Sequence, residues 1–431
     1  MRAASLIGHA RELLQLVVDG TSPADLLYDR YVRERRYLGA RDRRTLSDLF
    51  YSSLRRIHTA QAIREGGPSD RSILSTDIPS LLGIILLRRD EIDPVDVRDG
   101  LKLTDEEIDV LREEIDRFPA RLEELSDVGR LAARTGYPLW LTRRVAADHG
   151  DEAESLLTAL KSAAETVIRV DTYRFDRSDI ARMLESAEIT TRPTRFADGG
   201  LIVDGRKRLV DLEPFRRGSF EIQDEGSQLL TEFLAPQLEW NVFDACAGGG
   251  GKTLHIASMM KGKGRVAAHD ADVRRLAGLP KRIERHGYRN ITIITPPTFL
   301  LRQAELQESF DAVMIDAPCS GTGTLRRNPG ILLRLGVDGL ERLVALQAEI
   351  LDIYQSLVKP GGVLLYATCS ILDEENEEQV GRFLDRWQGW RVDHEAGRVD
   401  RELISPEGFL KTSPHRHGTD GFFGARLIKE R

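Results

Sequence analysis

Apolar residues recur at helical spacing through the first 125 positions of the chain. Leu46, Leu49, Phe50, Leu54 and Ile57 fall on one face and predict a buried stripe. The longest apolar run, Leu81 to Leu87, predicts a helix turn buried on every side. Ser22 before Pro23 predicts a helix start, with Ser22 as cap and Pro23 at the first helical position. No strong alternating pattern interrupts this stretch, so it is predicted to be all-helical. From Leu131 the texture changes. Ala153, Leu156, Leu157 and Leu160 predict a helix, and Val167 to Val170 a strand. Ser178 is expected to cap a helix carrying Ile180, Met183 and Leu184. Gly200 to Val203 predicts a strand that ends at the turn signal Asp204-Gly205.

From Trp240 onward short apolar runs alternate with helical segments. Strand ends are predicted at Asp244, Asp270 and Asp316, with further strands over Ile291 to Ile294 and Val363 to Cys369. Such alternation predicts a doubly wound α/β sheet, whose ligands lie beyond the carboxyl ends of the strands. Three modules are therefore expected: an all-helical domain over 1–127, a small α+β module over 128–217, and an α/β domain over 218–431.

Composition narrows the class. Apolar residues make up 41% of the 431 and charged residues 30%, which excludes a disordered chain, a collagen and a coiled-coil rod. No apolar run approaches the ~20 residues of a membrane helix. His9 and Arg11 break the apolar stretch that starts at Leu6, so no signal peptide is expected. Three cysteines are too few for a disulfide framework, which predicts a reducing, cytoplasmic setting.

The formal net charge of −7, from 62 basic and 69 acidic residues, by itself argues mildly against a nucleic-acid partner. Its distribution changes that reading. Ten Arg and four acids lie between Tyr28 and Arg64, whereas acids concentrate between Arg88 and Asp127 and at Asp373 to Glu378. Further bases stand at Arg206-Lys207-Arg208, Arg216-Arg217 and Arg326-Arg327. Of the 62 basic residues 52 are Arg, the side chain suited to forked phosphate contacts. Either an ordinary solvated face or a phosphate-contacting track fits this pattern.

The candidate chemistry sits at the predicted strand ends. Asp244-Ala245-Cys246-Ala247-Gly248-Gly249-Gly250-Gly251-Lys252-Thr253 joins a strand to a helix through four consecutive glycines. Glycines let backbone approach a ligand closely, and helix amides offer donors. The spacing is not that of a P-loop, because Cys246 stands where its first glycine belongs. Asp270 ends the next strand, where an acid accepts hydrogen bonds from ribose hydroxyls. Loop and acid together predict a nucleoside-containing cofactor. Two further motifs are Asp316-Ala317-Pro318-Cys319-Ser320-Gly321-Thr322-Gly323 and Tyr366-Ala367-Thr368-Cys369-Ser370. Cys246, Cys319 and Cys369 are the chain's only cysteines, all at one predicted sheet edge. An acid with two cysteines suggests covalent catalysis, and the missing histidine base counts against a cysteine protease. No metal site is expected, since His415 and His417 lack Cys or acid partners at ligand spacing.

The two cysteine motifs together resemble those of the RNA cytosine-5 methyltransferases, which use S-adenosylmethionine. The glycine loop is similar to that family's Cys-Ala-Ala-Pro-Gly-Gly-Lys. Gln223 to Gln228 resembles the segment leading into the catalytic domain, and Asp420-Gly421-Phe422-Phe423 its closing strand. Asp42-Arg43 and Tyr51 to Arg56 resemble the NusB-like domain of the bacterial small-subunit ribosomal RNA enzymes. Tyr137 to Leu141 and Leu160 to Val170 look like their middle module. The resemblance implies a Rossmann-like methyltransferase domain preceded by the other two modules. It makes Cys369 the nucleophile toward C6 of cytosine, Cys319 the residue that aids release, and Asp316 the group that hydrogen-bonds the base edge. It assigns S-adenosylmethionine to Cys246, Ala247, Gly248, Gly249, Gly250, Gly251, Lys252, Asp270 and Asp316. It implies an RNA partner, no metal, no protein partner and a monomer. Three departures stand out. Gly248-Gly249 replaces Ala-Pro. Thr295-Pro296-Pro297 follows the third strand where the family has an acid near the adenine. Gly330 stands where an acid follows Asn328-Pro329. The expected function is methylation of ribosomal RNA. The alternatives are transfer RNA as substrate, or a catalytically silent RNA-binding assembly factor.

Overall fold

The structure, a computed structural model, describes every residue except Thr21, Asp90, Arg206 and 395–398. Arg206 of the expected basic turn thus lies outside the described residues. Packing divides the chain into two compact units. One comprises Met1–Ser162 with Thr324–Leu340, the other Ala163–Gly323 with Glu341–Arg431.

The first unit is helical. The expected stripe forms: Leu46, Leu49, Phe50 and Leu54 are buried on the helix Ala40–Leu54, and buried Ile57 opens the next helix, Ile57–Glu65. The all-apolar run lies in the helix Ile78–Leu87, and Leu81, Leu82, Ile84 and Ile85 join the same core. Thr104 starts the helix Asp105–Leu122 with a reciprocal box: its hydroxyl accepts from the Glu107 amide at 3.1 Å, and Glu107 accepts from the Thr104 amide at 2.7 Å. One expected cap is displaced. The helix Ala24–Glu34 is preceded by Pro23, without a side-chain cap, while the Ser22 carbonyl accepts from Arg334 at 2.8 Å. The helices Asp127–Thr135, Leu139–His149 and Ala153–Leu160 belong to this unit, with Ala133 in its core.

The second unit holds two sheets. The smaller comprises β1 (Thr166–Val170), β2 (Thr191–Pro193), β3 (Gly200–Val203) and β4 (Phe220–Ile222), antiparallel in the order β2-β3-β1-β4. Ile168, Val170, Leu201 and Phe220 bury one core with Ile180 and Leu184 of the helix Arg177–Glu185. That helix is capped by Asp176, which accepts from the Ser178 amide at 2.7 Å, so the expected cap Ser178 lies inside it. An ionised carboxylate is the stronger acceptor for an N-terminal amide.

The larger sheet contains β5 (Asn241–Asp244), β6 (Arg265–His269), β7 (Ile291–Ile294), β8 (Phe310–Asp316), β9 (Val358–Thr368), β10 (Trp390–Val392), β11 (Leu410–Thr412) and β12 (Phe422–Lys429). Its order is β10-β12-β9-β8-β5-β6-β7, with β11 paired to β12. Strands β5 to β9 are parallel, and β12 runs antiparallel to β9 and β10. The order reverses between β5 and β8, so their carboxyl ends frame the crevice where a doubly wound sheet binds ligands. This is a Rossmann-like α/β sheet. Among the described residues no helix is long and apolar enough to cross a membrane.

Candidate functional site

At the carboxyl edge of β5 the chain turns through Cys246 to Gly250 into the helix Gly251–Met259. Gly250 adopts φ +83°, and a Cβ there would stand 2.2 Å from Leu279, so conformation and space both require glycine. Two contacts hold the loop. The Gly248 amide donates to Asp270 Oδ2 at 3.0 Å, and Arg282 donates to the Gly249 carbonyl. Asp270 is buried just beyond β6, and its other oxygen accepts from the Asp272 amide at 2.9 Å. A carboxylate has further lone pairs for a ligand hydroxyl. The β7 end carries no acid: the Ile294 carbonyl instead pairs with His269 Nδ1 at 2.8 Å.

One cleft collects most of the residues singled out from sequence. Cys246, Ala247, Gly248, Gly249, Gly251, Lys252, Asp316, Cys319 and Cys369 line it. Gly250 and Asp270 are not among its lining residues, although Asp270 touches the lining through the Gly248 amide. The third and fourth motifs meet through β8 and β9, adjacent parallel strands that pair Asp316 with Ala367. Cys319 Sγ lies 3.3 Å from Cys369 Sγ. Gly323 donates to the Cys369 carbonyl at 2.9 Å and accepts from Gly421 at 2.9 Å, so the two motifs and the segment before β12 are laced together. A Cβ on Gly323 would meet the Gly421 carbonyl at 2.1 Å.

The cleft's electrostatics follow from burial among acids. Lys252 Nζ donates to Asp316 Oδ2 at 2.6 Å. Burial opposes the Lys252 charge, but Asp316 outweighs it and holds the ammonium above its usual range. Asp244 is buried and pushed up to about 7, against the pull of the Thr253 hydroxyl that it accepts at 2.6 Å. Its Oδ1 is buried and has no partner among the described residues. A hydrogen bond to Cys369 and burial hold the Cys319 thiol well above the ordinary range. Burial, reinforced by Asp316, Asp244 and Asp270, does the same to Cys246. The unpartnered Asp244 oxygen and the surrounding carboxylates suit a ligand that carries positive charge and N–H donors. S-adenosylmethionine, with its sulfonium and ammonium, fits that donor set.

Sequence reading missed the braces behind the cysteines. Glu375 lies within the acidic run 373–378 yet is fully buried. It accepts from the Ser320 amide at 2.8 Å, from the Ser320 hydroxyl, and from Gln347 Nε2 at 2.8 Å. Gln347 also donates to the Pro318 carbonyl at 3.0 Å. Asn376 donates to the Ser370 carbonyl at 3.1 Å and accepts from the Thr368 hydroxyl. Gln223, Asp224, Arg275 and Arg282 line the cleft as well. Only the resemblance of Gln223 to Gln228 to a family segment signalled any of these. Arg326 and Arg327, candidates for phosphate contact, belong to the helical unit, and Arg326 is buried.

Comparison with known proteins places the chain among methyltransferases. A family profile described as "16S rRNA methyltransferase RsmB/F" matches residues 231–428, and a "Methyltr_RsmF/B-like, ferredoxin-like domain" profile matches residues 137–209. The chain is 34% identical over 312 residues to the ribosomal RNA small subunit methyltransferase B of Xylella fastidiosa, covering 72% of each chain. It is 33% identical to the probable ribosomal RNA small subunit methyltransferase B of Bacillus subtilis, covering 70% of this chain and 68% of that one. A solved methyltransferase homologue from Pyrococcus horikoshii is 25% identical with a TM-score of 0.60, covering 71% of this chain and all of that one.

Proposed function

The chain belongs to the 16S rRNA methyltransferase RsmB/F family, a family of S-adenosylmethionine-dependent RNA methyltransferases, and we propose that it methylates C5 of a cytosine in small-subunit ribosomal RNA through a Cys369 adduct. The observation that carries this reading is the pair of sulfurs 3.3 Å apart, in one cleft with Asp316 and the glycine loop. Cytosine C5 is a poor nucleophile. Addition of the Cys369 thiolate to C6 turns the ring into an enamine-like species whose C5 can attack a methyl group. Asp316 and Lys252 stand as a part-buried acceptor–donor pair that would hold the base edge. Bound S-adenosylmethionine supplies the electrophilic methyl group. Asp270, the glycine-loop amides and Asp244 would hold it.

Release requires transfer of the C5 proton to a base, here water admitted to the cleft, and departure of Cys369 as thiolate. Cys319 stands at that sulfur with its own proton firmly held, so it is suited to hydrogen-bond the leaving thiolate. The target base must leave its stack to reach this cleft. In this reading residues 1–127 and 128–217 present the RNA, while 218–431 carries the chemistry. A reducing cytoplasm keeps both thiols available.

The test is RNA carrying 5-fluorocytosine, where fluorine replaces the C5 proton, so elimination cannot follow and the adduct is trapped. A denaturation-stable protein–RNA band is expected with the wild type and none with Cys369→Ala. Normal methylation by Cys369→Ala would sink the nucleophile assignment. Bisulfite sequencing of ribosomal and transfer RNA with and without the protein identifies the substrate. Absence of S-adenosylmethionine binding by calorimetry would favour a silent assembly factor.

A further inference from the structure

Among the described residues, the helical unit holds a cluster of positive charge that no carboxylate balances. Arg56, Arg88 and Arg89 line one cavity with Ala60, Ile84 and Ile85. Arg56 precedes the helix Ile57–Glu65, and Arg88 follows the helix Ile78–Leu87. Ala60, Ile84 and Ile85 are buried core residues, so the charged side chains that line the cavity are the three arginines. Among the described residues none of the three arginines has an ion-pair partner. Elsewhere in this unit arginines find acids: Arg64 meets Glu114, Arg71 meets Glu65 and Asp77, Arg98 meets Asp105, and Arg134 meets Glu154.

A fourth cation adjoins the cluster. Lys161 Nζ donates to the Thr59 hydroxyl at 3.4 Å and stands 5.9 Å from the Tyr137 ring centre. Burial, with repulsion from Arg56 and Arg88, pushes it down to about 8. Burial, then Arg89 and Arg88, lowers Arg56 as well. The cations therefore repel one another in the free protein, and an anion placed among them removes that cost.

We propose that Arg56, Arg88 and Arg89 form a clamp for consecutive phosphates of an RNA backbone. Guanidinium forks match phosphate oxygens, and several cations around one cavity suit a polyanion better than a single ion. Contacts to phosphate oxygens fix register and orientation but carry no sequence information, so a clamp on phosphates positions RNA without selecting sequence. The inference rests on the reading that RNA is the substrate.

The test uses the full-length protein and a polyuridine oligonucleotide, which holds phosphates but no target cytosine. Affinity is measured across salt concentrations for the wild type and for the triple variant Arg56→Gln, Arg88→Gln, Arg89→Gln. Three lost contacts, at ~0.7 each for single strands, should make the salt slope shallower by about 2. At physiological salt, affinity should fall about tenfold or more. The matching triple Arg→Lys variant should keep most of the slope, and all three proteins should bind S-adenosylmethionine equally, which reports an intact fold. An unchanged slope in the Gln variant overturns the clamp. So does an equal loss in the Lys variant, which would make charge irrelevant. If the wild type traps 5-fluorocytosine RNA while the Gln variant keeps its slope, only the clamp fails. If the wild type binds no RNA, the functional reading falls with it.

Discussion

Cys319 Sγ meets both the Cys369 sulfur and the Cys369 backbone amide, each at 3.3 Å. Its place is therefore fixed by the residue it would serve, and the two cysteines are not interchangeable. Cys319 accepts the amide hydrogen and keeps a proton that the Cys369 thiolate can share. Cys369→Ala should lower kcat on the order of a thousandfold or more, because the other two cleft thiols, Cys319 and Cys246, are both held well above the ordinary range and keep their protons. Cys319→Ala should instead leave attack intact and let protein–RNA adduct accumulate on unmodified RNA. Gel analysis after single turnover separates the two. Equal adduct from wild type and Cys319→Ala would remove Cys319 from the release step.

Asp270 holds the glycine loop through the Gly248 amide. Its replacement by Ala leaves that amide without its acceptor and removes the acceptor for a ribose. An unsatisfied buried donor costs about 1–3 kcal/mol, or roughly ten- to a hundredfold in affinity. Calorimetric titration should show that weakening for S-adenosylmethionine in Asp270→Ala. An unaltered Kd would exclude Asp270 from the cofactor site.

Asp244 gives a pH dependence with a definite sign. Burial lifts its carboxyl to about 7, so the free protein holds a proton there below neutrality. A cationic ligand favours the ionised carboxylate, and its binding expels that proton. Affinity for S-adenosylmethionine should therefore rise as pH increases from about 6 to 8 and then level off. Asp244→Asn cannot ionise, so its affinity should be lower at pH 8 and nearly flat across that window. A parallel rise in Asp244→Asn would assign the titration elsewhere.

Glu375 touches neither sulfur but fixes the turn that carries Cys319, through Ser320 and through Gln347 to the Pro318 carbonyl. Glu375→Gln replaces one acceptor by a donor that faces other donors. Its expected effects are a lower Tm, about 1–3 kcal/mol of lost stability, and a reduced kcat with the S-adenosylmethionine Kd kept. A variant with wild-type kcat would make the brace dispensable for chemistry.

Much of this arrangement was legible in the sequence. Apolar spacing located the stripe on Ala40–Leu54 and the core helix Ile78–Leu87, because helix periodicity is a local property. The strand-end residues Asp244, Asp316 and Cys369 were readable because a doubly wound sheet delivers its carboxyl ends to one edge. Caps were less legible: Asp176 outcompetes Ser178 by charge, a preference that spacing does not reveal. Glu375 was hidden for a different reason. It sits in a run of acids that reads as solvated surface, and only the closure of β8 against β9 buries it. Three-dimensional packing likewise decides that Arg326 is buried while Arg56, Arg88 and Arg89 gather around a cavity.

The glycine loop has one more consequence. Four glycines in sequence are the most mobile backbone a chain can offer, and ordering them on ligand arrival would weaken binding. Arg282 prevents this from outside the loop. Its guanidinium donates to the Gly249 carbonyl and reaches Glu221 at 2.8 Å on β4, while Glu221 also accepts from His286 Nε2 at 2.8 Å. The freedom of the glycines is thus surrendered when the chain folds, not when the ligand lands. The anchor, Glu221, belongs to the small sheet, so the brace on this loop comes from outside the sheet that carries the loop.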